Sequence, residues 1–293
     1  MKRSRSILVL GSQGMLGHAV YGYLSACGWS IAGTQFTDPA APWFLDATAS
    51  PQTWRPLFAA TACDYVINCI GILQHAINAA DPASVGAAIR INALFPHLVA
   101  ETAAAVGARV IHMSTDGVFA GGNTAPYLES DPPNCPDVYG RSKALGESGA
   151  ANVLNIRCSI VGRDPFEHKG LLEWLLRQPD GAAVRGFRDQ FWNGVTTRQF
   201  AQLCHEMIEQ DAWDATLRLS RTHHFCPNPA TTKYDLLCAW SEVTGKAVTI
   251  LPAEDPVPNR SRILGTQFPC LSSLYSPRNQ WRDILQELFE SGA

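Results

Sequence analysis

Among the nine cysteines of this 293-residue chain, no two form a CxxC pair. Cys27, Cys63, Cys69, Cys135, Cys158, Cys204, Cys226, Cys238 and Cys270 are odd in number and irregular in spacing. That excludes a disulfide framework and reads as reduced, mostly buried thiols of a cytoplasmic protein. An excess of one charge is also missing: 23 Lys and Arg stand against 26 Asp and Glu, for a net −3. Nucleic acid and anionic membrane surfaces are therefore not expected partners. No uninterrupted apolar run approaches the ~18 residues of a membrane span. The basic leader ending at Ser6 meets only four apolar residues, Ile7-Leu-Val-Leu10, before a glycine. A secretory segment needs roughly 7 to 15. His223-His224-Phe-Cys226 has no second ligand cluster at suitable spacing, so no metal is expected. Internal repeats, low-complexity tracts and free linkers are absent as well.

What is present is an alternation of short apolar strands and helices. Ile7-Leu-Val-Leu10 reads as a strand buried on both faces. It runs into Gly11-Ser-Gln-Gly14-Met-Leu-Gly17 and then a helix, and a glycine turn at a helix N-terminus suits a pyrophosphate. The spacing is GxxGxxG. A second strand is expected near Trp29 to Gly33. Its end, Thr34-Gln35-Phe36-Thr37, carries neither the acid that holds an NAD ribose nor the base that meets an NADP phosphate. The missing acid leans towards NADP(H) over NAD(H), with Arg3 or Arg5 as candidate phosphate partners.

Further expected strands are Trp43 to Thr48, Asp64 to Gly71, Arg109 to Met113, Val153 to Arg157 and Leu217 to Ser220. Helices are expected from Ser50-Pro51, from Asp81-Pro82, at Leu171 to Leu176, from Thr196-Thr197 to Glu209, from Thr232 and at Trp281 to Phe289. Asn92 is either a solvated helix residue or a holder of water behind the site. Phe187 to Asn193 reads as a lid. Trp174, Trp213, Trp240 and Trp281 fall at helical spacing and are expected in the core, as are Cys69 and Cys158. The whole predicts an α/β fold, a Rossmann-type doubly wound parallel sheet with a smaller C-terminal substrate lobe. The Rossmann part covers 1–160, completed by about 194–222. The lobe takes 161–193 and 223–293.

Tyr139-Gly-Arg-Ser-Lys143 is the chemically informative stretch. Residues four apart share a helix face, which sets an ammonium beside a phenol. Lowering a tyrosine from pH ~10 to ~7 needs about 4 kcal/mol. One positive charge roughly 4 Å away at an effective dielectric of ~20 supplies that much. Tyr139 then becomes a usable general acid or base. Taken alone, so short a pattern more often describes a surface Tyr and Lys on a helix.

The order of motifs resembles the extended short-chain dehydrogenase/reductases, and more narrowly the dTDP-4-dehydrorhamnose reductase-like sugar-nucleotide reductases. The stretches that carry the resemblance are Gly11 to Gly17, Asn68-Cys-Ile-Gly71, Ile91-Asn-Ala93, Ser114-Thr-Asp-Gly-Val-Phe119, Tyr139 to Lys143 and Phe191 to Thr197. The resemblance implies that Gly11, Gln13, Gly14, Met15 and Leu16 hold the pyrophosphate. Asp46 and Ala47 would border the adenine, and Cys69, Ile70 and Gly71 the nicotinamide-side ribose. Thr115 would polarise the substrate ketone, Tyr139 would donate the proton, and Lys143 would hold the ribose and tune Tyr139. Lys169, Trp192 and Asn193 would contact a sugar nucleotide, although Trp192 also suits a core. Arg260-Ser-Arg262 would either bind the diphosphate or form a solvated loop.

The family usually has a larger residue than Gly117 after the Ser-Thr-Asp motif, so its absence here could enlarge the sugar pocket. The implied activity is NAD(P)H-dependent reduction of a nucleotide-activated keto-deoxysugar. A nucleotide-sugar epimerase and a non-catalytic dinucleotide-binding regulatory subunit are the alternatives. A homodimer is compatible with either.

Overall fold

Strands that are apolar throughout need cover on both faces, and this chain supplies it with helices on each side of one sheet. The computed structural model describes residues 5–256, 261–275 and 280–290. β1 (Ser6–Leu10) buries Ile7, Leu8, Val9 and Leu10 completely. The glycine turn leads to α1 (Met15–Ala26) and β2 (Ser30–Gly33). α2 (Pro51–Thr61) starts after Ser50 and buries Trp54 and Phe58. β3 (Tyr65–Asn68) precedes a long helical segment of α3 (Pro82–Ala88), a π-helical turn (Ile89–Leu94) and α4 (Phe95–Ala105). Asp81 caps it, accepting from the Ala83 amide at 3.0 Å. β4 (Arg109–Met113), α5 (Val138–Leu145) and β5 (Val153–Arg157) follow.

The second half starts with β6 (Ile160–Val161), α6 (Leu171–Leu176), β7 (Ala183–Phe187), β8 (Phe191–Trp192) and β9 (Val195–Thr196). Then α7 (Thr197–Glu209), α8 (Trp213–Leu219) and β10 (Thr222–His224) return to the sheet. Thr196 and Gln199 form a reciprocal capping box at the start of α7, satisfying two amides that a helix end leaves open. β11 (Thr231–Thr232), α9 (Lys233–Thr244), β12 (Thr249–Ala253), α10 (Cys270–Leu274) and α11 (Trp281–Glu290) complete the described chain.

The sheet order is β10-β5-β4-β3-β1-β2, with every pairing parallel. α1 and α7 bury Val20, Leu24, Phe200 and Met207 on one face. Trp54, Phe58, Phe95 and Val99 of α2 and α4 cover the other. This is the doubly wound Rossmann-type arrangement. A separate cluster around Leu175, Leu237, Trp240, Ile284 and Leu288 is the core of the smaller lobe.

Several sequence expectations change here. Trp43 to Thr48 is not a strand. Only Gln35 and Phe44 bridge, because Asp46 folds back to accept from the Thr48 amide and hydroxyl. Leu217 to Ser220 is not a strand either: Leu217 to Leu219 end α8, and the strand begins at Thr222. Four residues of Leu-Arg-Leu-Ser cannot separate a period of two from 3.6, and the buried Trp213 and Thr216 set the helical one. Phe187 to Asn193 is not a free lid, since β8 pairs with β11 and the Phe191 amide donates to Ser261. Trp174 is exposed rather than core, whereas Trp213, Trp240 and Trp281 are buried. Pro82–Ala105, with mean hydropathy 1.3, is long and apolar enough to cross a membrane by length and composition. Arg90, Asn92, His97 and Glu101 interrupt it, and its buried face packs on α2 and the sheet. Arg3, Pro258 and Arg260 lie outside the described residues.

One buried ion pair ties the end of α5 to β5. Arg157 grips Glu147 through Nε–Oε1 and Nη2–Oε2, both 2.7 Å, and both side chains are under a tenth exposed. Ser114 donates to the same carboxylate at 2.6 Å. Removing one partner strands a buried charge. Glu147→Ala is expected to cost about 3–5 kcal/mol, read from the midpoint of urea unfolding. Glu147→Gln, which keeps an acceptor for Ser114, should cost less.

Candidate active site

The glycine turn is held from below. Gly11 has φ +81°, and a Cβ there would meet Ile70 at 2.8 Å. At Gly17 a Cβ would stand 2.0 Å from the Gly11 carbonyl oxygen, so only glycine lets α1 begin this close to β1. Thr34 at the end of β2 is buried and accepts from the Gly11 amide at 3.0 Å through Oγ1. Its carbonyl accepts from the Ser12 amide and hydroxyl, both at 2.9 Å. The position where an acid would be sought is thus a brace for the turn. Gln13 accepts from Thr37 at 3.0 Å, and Met15 and Leu16 open α1. Gln35 exchanges backbone bonds with Trp43 and Leu45, which brings Asp46 and Ala47 beside the end of β2. Arg5 is at the opposite end of β1, with Asp211 at 2.6 Å and the Tyr65 hydroxyl at 2.8 Å. It cannot serve a phosphate at the glycine turn.

After β3, Cys69, Ile70 and Gly71 run past the same edge. Buried Asn68 accepts from the Ile70 amide at 3.1 Å. Asn92, on the π-helical turn, accepts from the Ile72 amide and donates to its carbonyl at 2.8 and 2.9 Å, and also donates to Ser142. Asn92 is therefore a buried clamp between this loop and α5, not a solvated helix residue. Gly71 lies against Asn92 and Lys143: a Cβ there would stand 3.3 Å from Asn92 Oδ1 and 3.8 Å from Lys143 Nζ.

Thr115, Tyr139 and Lys143 meet at the carboxyl end of β4. Asp137 caps α5, accepting from the Gly140 amide at 2.8 Å, and the helix carries Tyr139 and Lys143 on the face towards the sheet. Lys143 is 5% exposed, and Nζ donates to the Met113 carbonyl at 2.6 Å. Burial pulls its pKa down to about 8, partly offset by the charge of Glu147. Tyr139 moves the other way: burial pushes it up to about 12, against hydrogen bonding with Thr115 and the positive charge of Arg262. The expected lowering of the phenol is not seen here, because burial outweighs the groups that act against it; the Lys143 ammonium itself donates to the Met113 carbonyl.

Thr115 accepts from the Gly117 amide at 3.0 Å and donates to Asp116 at 3.1 Å. Burial raises the Asp116 carboxyl, while Arg262 acts against that. Arg262 therefore faces Asp116 and Tyr139, and the solvated-loop reading is wrong for it. Its Nε is buried with no hydrogen-bond partner among the described residues. Sequence reasoning had little to find it by, since it sits in a proline-rich tail with no periodicity.

The other expected substrate residues have their own partners. Lys169 pairs with Glu167 at 2.7 Å in a loop over α1, where Phe166 meets His18 edge-on and Gly170 approaches Met15. Trp192 packs on Trp281 in the smaller lobe, ring centres 4.9 Å apart. Both ends of the buried Asn193 amide are taken by the Leu264 backbone at 2.8 and 3.0 Å, which fixes the strand next to Arg262. His223 and His224 hydrogen-bond backbone carbonyls. Among the described residues no group of His, Cys, Asp or Glu is arranged to hold a metal ion. All nine cysteines are free, Cys158 is buried, and Cys69 is half-buried.

The depressed pKa of Lys143 has a consequence for stability. Between about pH 8 and its unfolded value of 10.5, the unfolded chain holds a proton that the folded chain has lost. Stability contributed by this group is therefore gained as pH rises through that window and lost as pH falls through about 8. Lys143→Met should remove one proton from the slope, about 1.4 kcal/mol per pH unit, in urea unfolding compared at pH 8, 9 and 10.

Residues 5–290 match the RmlD substrate binding domain family. A dTDP-4-dehydrorhamnose reductase of Burkholderia thailandensis is 33% identical over 92% of this chain and 89% of its own length. A methionine adenosyltransferase 2 subunit beta of Rattus norvegicus is 26% identical over 91% of this chain and 79% of its own. The fold of the dTDP-4-dehydrorhamnose reductase of Bacillus anthracis in complex with NADP superposes with a TM-score of 0.79 at 18% identity, covering 98% of this chain and 99% of that one. The chain belongs to the RmlD substrate binding domain family, together with dTDP-4-dehydrorhamnose reductases, and has the fold of the extended short-chain dehydrogenases/reductases.

Proposed function

We propose that this protein reduces the ketone of a nucleotide-activated keto-deoxysugar with NAD(P)H. The observation that carries the reading is the meeting of Thr115, Tyr139 and Lys143 beside Gly71 and the glycine turn, all at the carboxyl ends of adjacent strands. Ligands of open α/β sheets bind there.

The residues fit a dinucleotide. Gly11, Gln13, Gly14, Met15 and Leu16 would hold its pyrophosphate, Asp46 and Ala47 its adenosine end, and Cys69, Ile70, Gly71, Tyr139 and Lys143 its nicotinamide ribose. The bare backbone at Gly11, Gly14 and Gly17 leaves the α1 amides open to an anion. NADP(H) is favoured over NAD(H) because Thr34 stands where an acid would select NAD. The bound cofactor supplies the hydride. Tyr139 supplies the proton to the ketone oxygen, so ketone becomes alcohol. Thr115 must first turn its hydroxyl from Asp116 to that oxygen. Lys143 must leave the Met113 carbonyl to reach a ribose hydroxyl, and so bring its charge towards Tyr139. Arg262 would face the substrate end of the site. The free cysteines suit a reducing cytoplasm.

A second reading has its own support. Methionine adenosyltransferase 2 beta subunits align with nearly the whole chain, and Tyr139 rests at a pKa of about 12. A non-catalytic subunit that keeps the dinucleotide site would share both features.

NADPH and NADH oxidation, followed at the nicotinamide absorbance against nucleotide 4-keto-6-deoxysugars, separates the two. Turnover is expected with at least one sugar. Tyr139→Phe should lower kcat by at least 100-fold, in line with general acid catalysis, while dinucleotide binding persists. Binding without turnover by the unaltered protein would favour the subunit reading.

A further inference from the structure

The loop after β4 and the first turn of α5 touch at two glycines. A Cβ at Gly140 would lie 2.2 Å from the Gly117 carbonyl oxygen and 2.5 Å from Cys135 Sγ, so α5 sits directly on the loop. The ring of Tyr139 then falls over residue 117. A Cβ built on Gly117 would be 2.8 Å from Tyr139 Cε1, 3.3 Å from Cδ1 and 3.2 Å from Thr115 Oγ1. Real Cβ atoms do not approach aromatic carbons at 2.8 Å, so one added carbon would force the ring to move. That single carbon would touch both the phenol ring and the threonine hydroxyl that the proposed proton transfer uses. Gly117 has no positive φ, so its backbone does not require glycine; the ring does. The space left by the missing side chain is filled by Tyr139 and does not extend the substrate pocket.

We propose that Gly117 is a positioning residue: the absence of its side chain forms the seat of the Tyr139 ring and holds the phenol against Thr115. The catalytic part of this proposal rests on the reductase reading, whereas the seat itself does not. Alanine at 117 displaces the ring from Thr115; the glycine turn follows β1, which β3 separates from β4 in the sheet.

A stability cycle tests the seat without any turnover. Gly117→Ala is made in the unaltered protein, in Tyr139→Phe and in Tyr139→Ala, and urea midpoints are compared. The alanine should lower the midpoint in the first two, where the ring remains, relative to its effect in the third. Effects of Gly117→Ala on the unfolded chain are the same in all three backgrounds and cancel. An equal shift in all three overturns the seat. If Gly117→Ala alone fails to fold, recovery of a cooperative transition with Tyr139→Ala supports the proposal, and failure of both overturns it. With a reduced sugar in hand, Gly117→Ala should lower kcat at least tenfold with unchanged KM for the dinucleotide. An unchanged kcat overturns the positioning role even if the seat is real. Absence of turnover in the unaltered protein would count against the reductase reading alone, since the stability cycle still decides the seat.

Discussion

A buried ammonium needs a partner, and Lys143 has one only because β4 ends where it does. With 5% of its surface exposed and 2.6 Å to the Met113 carbonyl, this side chain joins α5 to the sheet at the point where the strands offer their carboxyl ends. Burying it charged is costly, which is why its pKa falls. Glu147 beside it limits the fall, and Glu147 is itself fixed by Arg157 and Ser114. Position and charge of Lys143 thus depend on a chain of contacts running from β5 to the loop after β4.

The same economy of partners holds for the rest of the site. Thr115 is committed to Asp116 and Gly117, Asn92 to Ile72 and Ser142, and Thr34 to the glycine turn. In the protein alone most of these groups are bonded to one another, and the phenol is held protonated. A ligand must take over some of these contacts, and the exchange links binding to chemistry: freeing Lys143 from a carbonyl is also what would bring a positive charge to Tyr139.

Sequence made the sheet legible because strands buried on both faces carry continuous apolar runs, as at Ile7 to Leu10 of β1 and Tyr65 to Ile67 of β3. The glycine turn and the Tyr139–Lys143 spacing were legible because few residue types satisfy a tight turn or a shared helix face. The expected strand at Trp43 failed because a folded-back aspartate is a local hydrogen-bond choice that periodicity does not record. Arg262, Asn193 and the Gly117 seat were out of reach for a different reason. Each depends on segments distant along the chain or separated by a loop meeting in space, and a lone Arg, Asn or Gly has no pattern to betray that. The four-residue spacing put Tyr139 and Lys143 on one helix, as α5 has them, yet it could not say that the lysine would turn to a backbone carbonyl.

The central claim is that Gly11 to Leu16, Gly71 and Lys143 form one dinucleotide site at the strand ends. The most direct test is an equilibrium titration of NADPH and NADH, followed by nicotinamide fluorescence, on the unaltered protein and on Lys143→Met. Saturable binding at one site per chain, weakened at least tenfold by Lys143→Met in a variant that still unfolds cooperatively, is the predicted result. Absence of binding, or equal affinity in both proteins, would contradict it.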